Sequence, residues 1–264
     1  MSDAGAAILL GLLQGLTEFL PVSSTAHLAL AERALGLDPR RFGLSFTVAL
    51  HMGTLLAVLI YFAPVWLELL RDVLAGRLQL LWLLIVATIP AVVAALLFGG
   101  LVERELRDPL IIAAALVLGS LVMLVAERLS GRGGRERATV PDAAAIGLAQ
   151  ALALIPGLSR SGMTISAGIA RGLRREQATR LSFLLSTPAV FGAGLKTALD
   201  AGRAVTLLER PDTLAIGFAV SFVSGIAAVA FLVRFLRRHS LAWFVPYRVG
   251  LALVIVGAVA AGLL

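Results

Sequence analysis

The strongest constraint on the fold comes from the run Gln14-Gly-Leu-Thr-Glu-Phe-Leu-Pro-Val-Ser-Ser-Thr-Ala-His27. It contains an amide, a carboxylate, several hydroxyls and an imidazole, yet apolar residues flank it on both sides. Because Pro21 lacks a backbone N–H and its ring clashes with the preceding turn, we expect a helix that enters this run to end there. Ser23 or Ser24 can begin the next helix, since serine is a preferred N-cap. The run therefore predicts two helices separated by a polar break.

A second polar break lies in the other half of the chain, in the run Pro156-Gly-Leu-Ser-Arg-Ser-Gly-Met-Thr164. The apolar segments that hold the two breaks are 4–35 and 141–172. Half of either segment is shorter than the roughly 20 residues that cross a bilayer. A broken helix is tolerated at membrane depth only where protein or a wet cavity surrounds it. We therefore expect two re-entrant pairs of half-helices, each entering and leaving on one side of the membrane.

The composition is that of a membrane protein. Of 264 residues, 59% are hydrophobic and 15% are charged, and the mean hydropathy is +0.95; soluble domains carry about 25% charged residues. There is no cysteine and there are only three histidines, which excludes disulfides and disfavours a histidine metal cluster. The net charge of +7 favours basic loops beside a membrane and not nucleic-acid binding. The fold class predicted is an all-α polytopic membrane protein.

Six further apolar runs are long enough to span the bilayer, and they complete the expected architecture. These runs are 43–63, 78–101, 109–126, 181–200, 212–233 and 243–264. The order is then one break and three spans, followed by one break and three spans. Because three is odd, the second repeat must be inverted relative to the first, an arrangement known among membrane proteins. We predict a first repeat over 1–127, a linker over 128–140 and a second, inverted repeat over 141–264.

Arginines are distributed unequally between the two predicted sides. Thirteen fall in the loops at 64–77, 128–140, 171–180 and 234–239, and seven fall in those at 33–41, 102–108 and 201–211. The positive-inside rule makes the first side cytoplasmic. Both termini are then outside, the first break enters from outside and the second enters from the cytoplasm.

The first break has the residue types of acid–base or nucleophilic chemistry. Gln14 and Glu18 are four residues apart and share one helix face. His27 lies one turn beyond Ser23 and Ser24, so hydroxyl, imidazole and carboxylate are within plausible reach of one another. This is the pattern of an activated nucleophile or of a general acid–base pair.

The second break has the residue types of an anion site. Ser159 can cap a helix that begins at Arg160, and a helix N-terminus beside an arginine favours phosphate. Ser161 and Thr164 add hydroxyl donors, and Gly162 allows the backbone to approach a ligand closely. If the two breaks meet, two helix N-termini and one arginine converge beside the acid–base set, which predicts phosphoryl transfer.

Other interpretations of these residues stay open. Serine and threonine in membrane helices commonly hydrogen-bond to a neighbouring helix. Glu18 and Arg160 can form a structural ion pair. The roles of His51 and Arg248, which lie outside both breaks, are undecided.

The two runs resemble the signature motifs of the bacterial undecaprenyl-diphosphatases, also called bacitracin-resistance proteins. The run Ser182-Phe-Leu-Leu-Ser-Thr-Pro188 resembles a third, weaker segment of that family. Length and span number agree too, so the resemblance covers essentially the whole chain. It implies an enzyme of the cytoplasmic (inner) membrane that hydrolyses undecaprenyl diphosphate to undecaprenyl phosphate and inorganic phosphate. This activity recycles the lipid carrier for peptidoglycan synthesis and gives bacitracin resistance. The site implied opens to the outer face.

The resemblance also implies roles for single residues. Glu18, Ser24, His27 and Arg160 are implied to be catalytic, with Arg160 holding the diphosphate. Further phosphate contacts are expected from Ser23, Thr25, Ser159, Ser161, Gln14 and Thr164. The family's first motif position is Glu or Gln, and here Gln14 leaves the site with one carboxylate. A Mg²⁺ or Ca²⁺ ion would then be bound by Glu18, with phosphate oxygens completing its shell.

Two mechanisms and two functions follow as alternatives. Either Ser24 attacks the terminal phosphorus, assisted by His27 and Glu18, and a phosphoserine is hydrolysed, or His27 or Glu18 activates water and Ser24 binds phosphate. The alternative function is a polyprenyl-phosphate flippase or anion transporter, since inverted repeats with broken helices are typical of transporters. Membrane lipids are the expected surroundings, no nucleic acid is expected, and a homodimer is one assembly to test.

Overall fold

The computed structural model describes residues 1–130, 134–199 and 211–264, and these residues form an all-α protein. Within them there is no β-strand, only an isolated bridge between Arg135 and Leu173. Twelve α-helices and one 3-10 turn are present in the described ranges. They are α1 Asp3–Phe19, α2 Ser24–Ala34, α3 Pro39–Phe42, α4 Leu44–Tyr61, α5 Ala63–Leu74, α6 Gln79–Arg104, α7 Pro109–Leu129, α8 Val140–Leu152, α9 Arg160–Ala170, α10 Arg175–Leu199, α11 Pro211–Phe235, the 3-10 turn Leu241–Phe244 and α12 Val245–Ala260.

Four helical segments of the described chain are long and apolar enough to cross a membrane. They are Gln79–Val102, Pro109–Leu129, Pro211–Phe235 and Leu241–Ala260. A fifth candidate is a bent pair, in which α4 turns by 71° into α5. The chain is therefore a multi-pass membrane protein with four to five apolar span candidates.

The run 181–200, predicted as a span, belongs to α10, which is not among these candidates. Its helix carries the hydroxyls of Ser182, Ser186 and Thr187 and the charge of Lys196, which lower its hydropathy. Asp200 and the predicted loop to residue 210 lie outside the described residues, as do 131–133 of the predicted linker.

Both predicted helix breaks are confirmed. The first separates α1 from α2 at residues 20–23, and the second separates α8 from α9 at residues 153–159. Each second half-helix follows a serine with left-handed backbone: Ser23 has a φ of 73° and Ser159 a φ of 71°. Among the described residues, these two are the only non-glycine residues with positive φ. Such a conformation costs about 1–3 kcal/mol and is concentrated at functional sites.

Helices of the first half of the chain pack against helices of the second half. Helix α1 packs along α11, α8 packs along α6, α4 contacts α10 and α7 contacts α12. Two close approaches depend on glycine. A Cβ at Gly15 of α1 would lie 2.6 Å from the carbonyl oxygen of Ser221, and one at Gly147 of α8 would lie 2.7 Å from that of Ala87. Because each half covers the broken helices of the other, the two polar breaks come together inside the protein.

Candidate active site

Glu18, in the last turn of α1, is the centre of the polar cluster. Its carboxylate is buried and accepts hydrogen bonds from Nε2 of Gln14 at 3.0 Å and from Oγ of Ser24 at 2.7 Å, both at Oε2. Its other oxygen, Oε1, pairs with the Arg160 guanidinium from the second break. Nε2 of His51 lies 3.4 Å from Oε2. One carboxylate therefore connects four helices: α1, α2, α4 and α9.

The two breaks contact each other directly, as predicted. The backbone N–H of Gly157 donates to Oγ of Ser23 at 3.2 Å. The Ser161 hydroxyl donates to the carbonyl oxygen of Leu20 at 3.1 Å. Together with the Glu18–Arg160 pair, these contacts place the N-termini of α2 and α9 side by side.

Arg248 of α12 hydrogen-bonds to the backbone of both breaks. Its guanidinium is fully buried and donates to the carbonyl oxygens of Pro21 at 2.9 Å and of Gly157 at 2.9 Å. It also donates to Oγ of Ser120 at 3.0 Å and to the carbonyl oxygens of Leu116 and Leu158. Burying a guanidinium is tolerated only when its donors are satisfied, and here backbone carbonyls from both breaks satisfy them.

The Ser24 hydroxyl is oriented by its bond to Glu18. A carboxylate only accepts, so the Ser24 hydrogen points at Oε2 and the oxygen lone pairs face elsewhere. A hydroxyl donating to a carboxylate at 2.7 Å is the arrangement of a nucleophile beside its general base. Glu18 is thus the acceptor of the Ser24 hydroxyl proton in this structure.

His27 lies on the same helix turn but has other partners. Its Nδ1 lies 2.7 Å from the carbonyl oxygen of Ser23, and its Nε2 lies 2.6 Å from the hydroxyl of Tyr247. Because a carbonyl oxygen only accepts, Nδ1 carries the proton; in the neutral ring Nε2 then accepts from Tyr247. The rings of His27 and Tyr247 are parallel, with centroids 5.7 Å apart. The spacing predicts that His27 lies within reach of the Ser24 and Glu18 side chains. In this arrangement its two ring nitrogens face Ser23 and Tyr247 instead.

The two helix N-termini differ in their capping. Ser159 caps α9, since its Oγ accepts from the N–H of Gly162 at 3.2 Å. Ser23 occupies the corresponding position at α2, but its side chain makes no capping bond and instead contacts Oγ1 of Thr25. The first N–H groups of α2 are therefore not capped by Ser23 and suit an anionic oxygen.

The other predicted phosphate contacts differ in how accessible they are. Thr25 is exposed beside Ser24, and the hydroxyls of Ser159 and Ser161 lie 3.2 Å apart at the start of α9. Gln14 is fully buried behind Glu18. Thr164 is also buried, and its hydroxyl contacts the carbonyl oxygen of Arg160 and Oγ of Ser182. Gln14 and Thr164 are thus placed to support the site from behind.

The donor set around Glu18 does not fit a divalent cation in this arrangement. Both carboxylate oxygens already face hydrogen-bond donors, and the Arg160 guanidinium would repel a cation at Oε1. Nowhere in the described parts of the chain do three His, Cys, Asp or Glu side chains come together as a metal site.

Three residues of the site lie outside both motifs: His51, Tyr247 and Arg248. An ionisable side chain inside a membrane segment is functional by default, and that rule draws attention to His51 and Arg248. It does not identify their partners. Tyr247 carries no such signal, because a tyrosine near the end of an apolar helix is common at membrane interfaces.

Comparisons with known proteins show what the chain is similar to. A family model described as bacitracin resistance protein BacA matches residues 7–254. A curated undecaprenyl-diphosphatase of Desulforudis audaxviator is 45% identical over 254 residues, covering 94% of this chain and 95% of the relative. That of Rubrobacter xylanophilus is 43% identical, covering 94% and 96%. That of Corynebacterium glutamicum is 42% identical, covering 97% and 91%.

Proposed function

Because the chain belongs to the bacitracin resistance protein BacA family, we propose that it is an undecaprenyl-diphosphatase. It is a hydrolase of the bacterial membrane that converts undecaprenyl diphosphate to undecaprenyl phosphate and inorganic phosphate. Its reaction returns the lipid carrier to cell-wall synthesis and supports bacitracin resistance. The observation that carries the proposal is the convergence of Ser24, Glu18 and Arg160 from two separate helix breaks.

We propose that the diphosphate binds where the N-termini of α2 and α9 meet. Arg160 is the cation of this site, and its side chain is 17% exposed, so it can be reached by a ligand. The N–H groups of α2, with Ser23, Thr25, Ser159 and Ser161, supply the neutral donors. As Arg160 turns to the phosphate, its bond to Glu18 is weakened or broken.

In the proposed chemical step, Oγ of Ser24 attacks the terminal phosphorus and Glu18 takes the hydroxyl proton. The new Oγ–P bond forms as the bond from that phosphorus to the bridging oxygen breaks, and undecaprenyl phosphate leaves with the bridging oxygen. Water then attacks the phosphoserine, the Oγ–P bond breaks as Glu18 returns its proton to Oγ of Ser24, and inorganic phosphate is released. Arg160 and the helix N-termini stabilise the charge on the equatorial oxygens.

The competing route has Glu18 or His27 activating water directly while Ser24 binds phosphate. The bond from Ser24 to Glu18 supports the serine route, and the contact of His27 with Tyr247 supports a different role for the imidazole. Under the proposal, His27 holds the carbonyl of Ser23 and so helps maintain the left-handed backbone at the start of α2.

Phosphate release from undecaprenyl diphosphate by purified protein in detergent tests the proposal. We expect Arg160→Ala and Glu18→Gln to lose release by at least about a hundredfold, since each removes a charged contact in a low-dielectric site. Arg237→Ala is the matched control, because Arg237 also pairs with a glutamate but on an exposed surface. A wild type that moves the lipid across liposomes without releasing phosphate would favour the flippase alternative.

The finer architecture is also a proposal: six spans plus two re-entrant pairs in an inverted repeat, with both termini and the site facing outside. The crosswise packing of α1 on α11 and α8 on α6 supports two equivalent halves, and so do the matching backbones of Ser23 and Ser159. A need for Mg²⁺ or Ca²⁺ and a homodimer stay predictions. Assays with and without each cation test the first, and mass measurement in detergent tests the second.

A further inference from the structure

His51 is the ionisable side chain that neither motif explains, and it lies beside the central carboxylate. On α4, its Nδ1 is 2.8 Å from the carbonyl oxygen of Thr47, and its Nε2 is 3.4 Å from Oε2 of Glu18. Its side chain is 21% exposed, so one edge of the ring is open to small solutes.

These two contacts together fix which edge of the ring faces the carboxylate. A carbonyl oxygen only accepts, so Nδ1 donates to Thr47, and Nε2 is the atom that is turned to Glu18. The 3.4 Å between Nε2 and Oε2 is an ion-pair distance for a ring that carries a proton on Nε2.

Glu18 thus has two basic partners, on two different helices. Arg160 of α9 pairs with Oε1, and His51 of α4 faces Oε2. They differ in what else they can contact. Arg160 lies at a helix N-terminus inside the proposed diphosphate site, whereas His51 lies outside both breaks. When Arg160 turns to the diphosphate, a buried carboxylate with no cation beside it would be strongly disfavoured.

We infer that His51, protonated at Nε2, is a positioning residue for this reaction: it keeps Glu18 ionised and directed at Ser24 while Arg160 binds the diphosphate. The inference rests on the proposed function and deepens it, because it explains how one arginine serves both the resting pair and the substrate. Without His51, the diphosphate has to compete with Glu18 for Arg160.

Kinetics of three variants test the role of the charge. His51→Leu removes both donor and charge, and we expect a higher KM and a lower kcat, with kcat/KM falling about tenfold to a hundredfold. His51→Gln keeps an N–H donor without the charge, and we expect values between those of the leucine variant and the wild type. His51→Ala leaves a cavity, in which added imidazole restores activity and pyrazole, of equal size but uncharged at neutral pH, does not.

The matched control is His239→Gln. His239 also contacts the carbonyl oxygen four residues earlier, but its ring stacks on Phe235, whereas the ring of His51 faces the Glu18 carboxylate. We therefore expect unchanged kcat and KM in His239→Gln. Size-exclusion chromatography checks that each variant is folded, and if the leucine or alanine variant unfolds, the glutamine variant decides. Unchanged kcat and KM in His51→Gln, or equal rescue by pyrazole and imidazole, would overturn the inference. The proposed function would still stand in that case, provided that the wild type releases phosphate. A wild type that releases no phosphate would defeat both.

Discussion

At the scale of residues, the site is built on shared partners. Glu18 contacts a hydroxyl, an amide and two basic side chains, while Ser24 has its hydrogen directed at one acceptor. Glu18, Arg160 and the serines of the first break could be predicted as site candidates from their residue types at helix breaks within apolar segments, whereas the choice of Ser24 over Ser23 came from the family resemblance. The partner of His27 could not, since Tyr247 is 220 residues away, and no local spacing connects them.

Ser24→Ala tests the nucleophile. We expect kcat to fall about a thousandfold, because the acceptor of the phosphoryl group is lost while Arg160 and the helix N-termini still bind substrate. Thr88→Ala is the control, since Thr88 is also a helical hydroxyl but donates to the carbonyl oxygen of Leu84. Mass spectrometry of acid-quenched wild type should show phosphate on the peptide that contains Ser24. A fully active alanine variant would exclude the serine route.

Tyr247→Phe tests the partner of His27. The ring stack is retained and one hydroxyl is lost, so the fold should be unchanged. We expect kcat/KM to fall about tenfold, the effect of removing one hydrogen bond that orients a buried group. Tyr61→Phe, whose ring packs edge-on against Phe62, is the control. Equal kcat/KM in wild type and Tyr247→Phe would show that the contact has no role in the reaction.

At the scale of elements, the sequence predicted where helices are interrupted better than it predicted how the chain turns at each interruption. Pro21 and Pro156 identify the two breaks because proline removes a helical hydrogen bond. The 71° bend between α4 and α5 was not expected; it lies at residue 62, and α5 occupies most of the predicted loop at 64–77. The left-handed conformation of Ser23 and Ser159 was not predicted either, since serine rarely adopts it without surrounding contacts.

The packing of α1 on α11 makes a prediction about stability. Gly15→Ala places a methyl group against the backbone of Ser221 and should destabilise the protein by about 1–3 kcal/mol. Gly99→Ala in α6 is the matched control, because nothing lies within 4 Å of its added Cβ; a gain of about 0.5–1 kcal/mol is expected there. Thermal unfolding in one detergent compares the two. A Gly15 variant as stable as the Gly99 variant would mean that the two helices are farther apart.

At the scale of the whole molecule, the class could be predicted from composition, but the pairing of the halves could not. Hydropathy identifies apolar helices one at a time and says nothing about which helices touch. Helix contacts in membranes depend on small residues and buried polar groups, such as Gly15 against α11 and Arg248 against both breaks. These depend on residues that are far apart in the chain.

Cysteine labelling tests the proposed topology, and the absence of native cysteines means that each variant has one target. In intact cells, a membrane-impermeant maleimide should label Leu35→Cys and Leu263→Cys, which are proposed to be outside. It should label Arg77→Cys and Arg137→Cys only after lysis. The reverse pattern would invert the orientation, and labelling of Leu35→Cys and Leu263→Cys from opposite sides would exclude six spans.

The position of Arg248 also affects how the protein is made. Chains fold as they leave the ribosome, N-terminal parts first, so the segment with Glu18 and Ser24 enters the bilayer long before the helix that ties its backbone in place. Until residue 248 has been translated, the carbonyls of Pro21 and Gly157 lack the donor that joins them. The newly made chain therefore passes through insertion without the side chain that joins its two breaks, until α12 is in place.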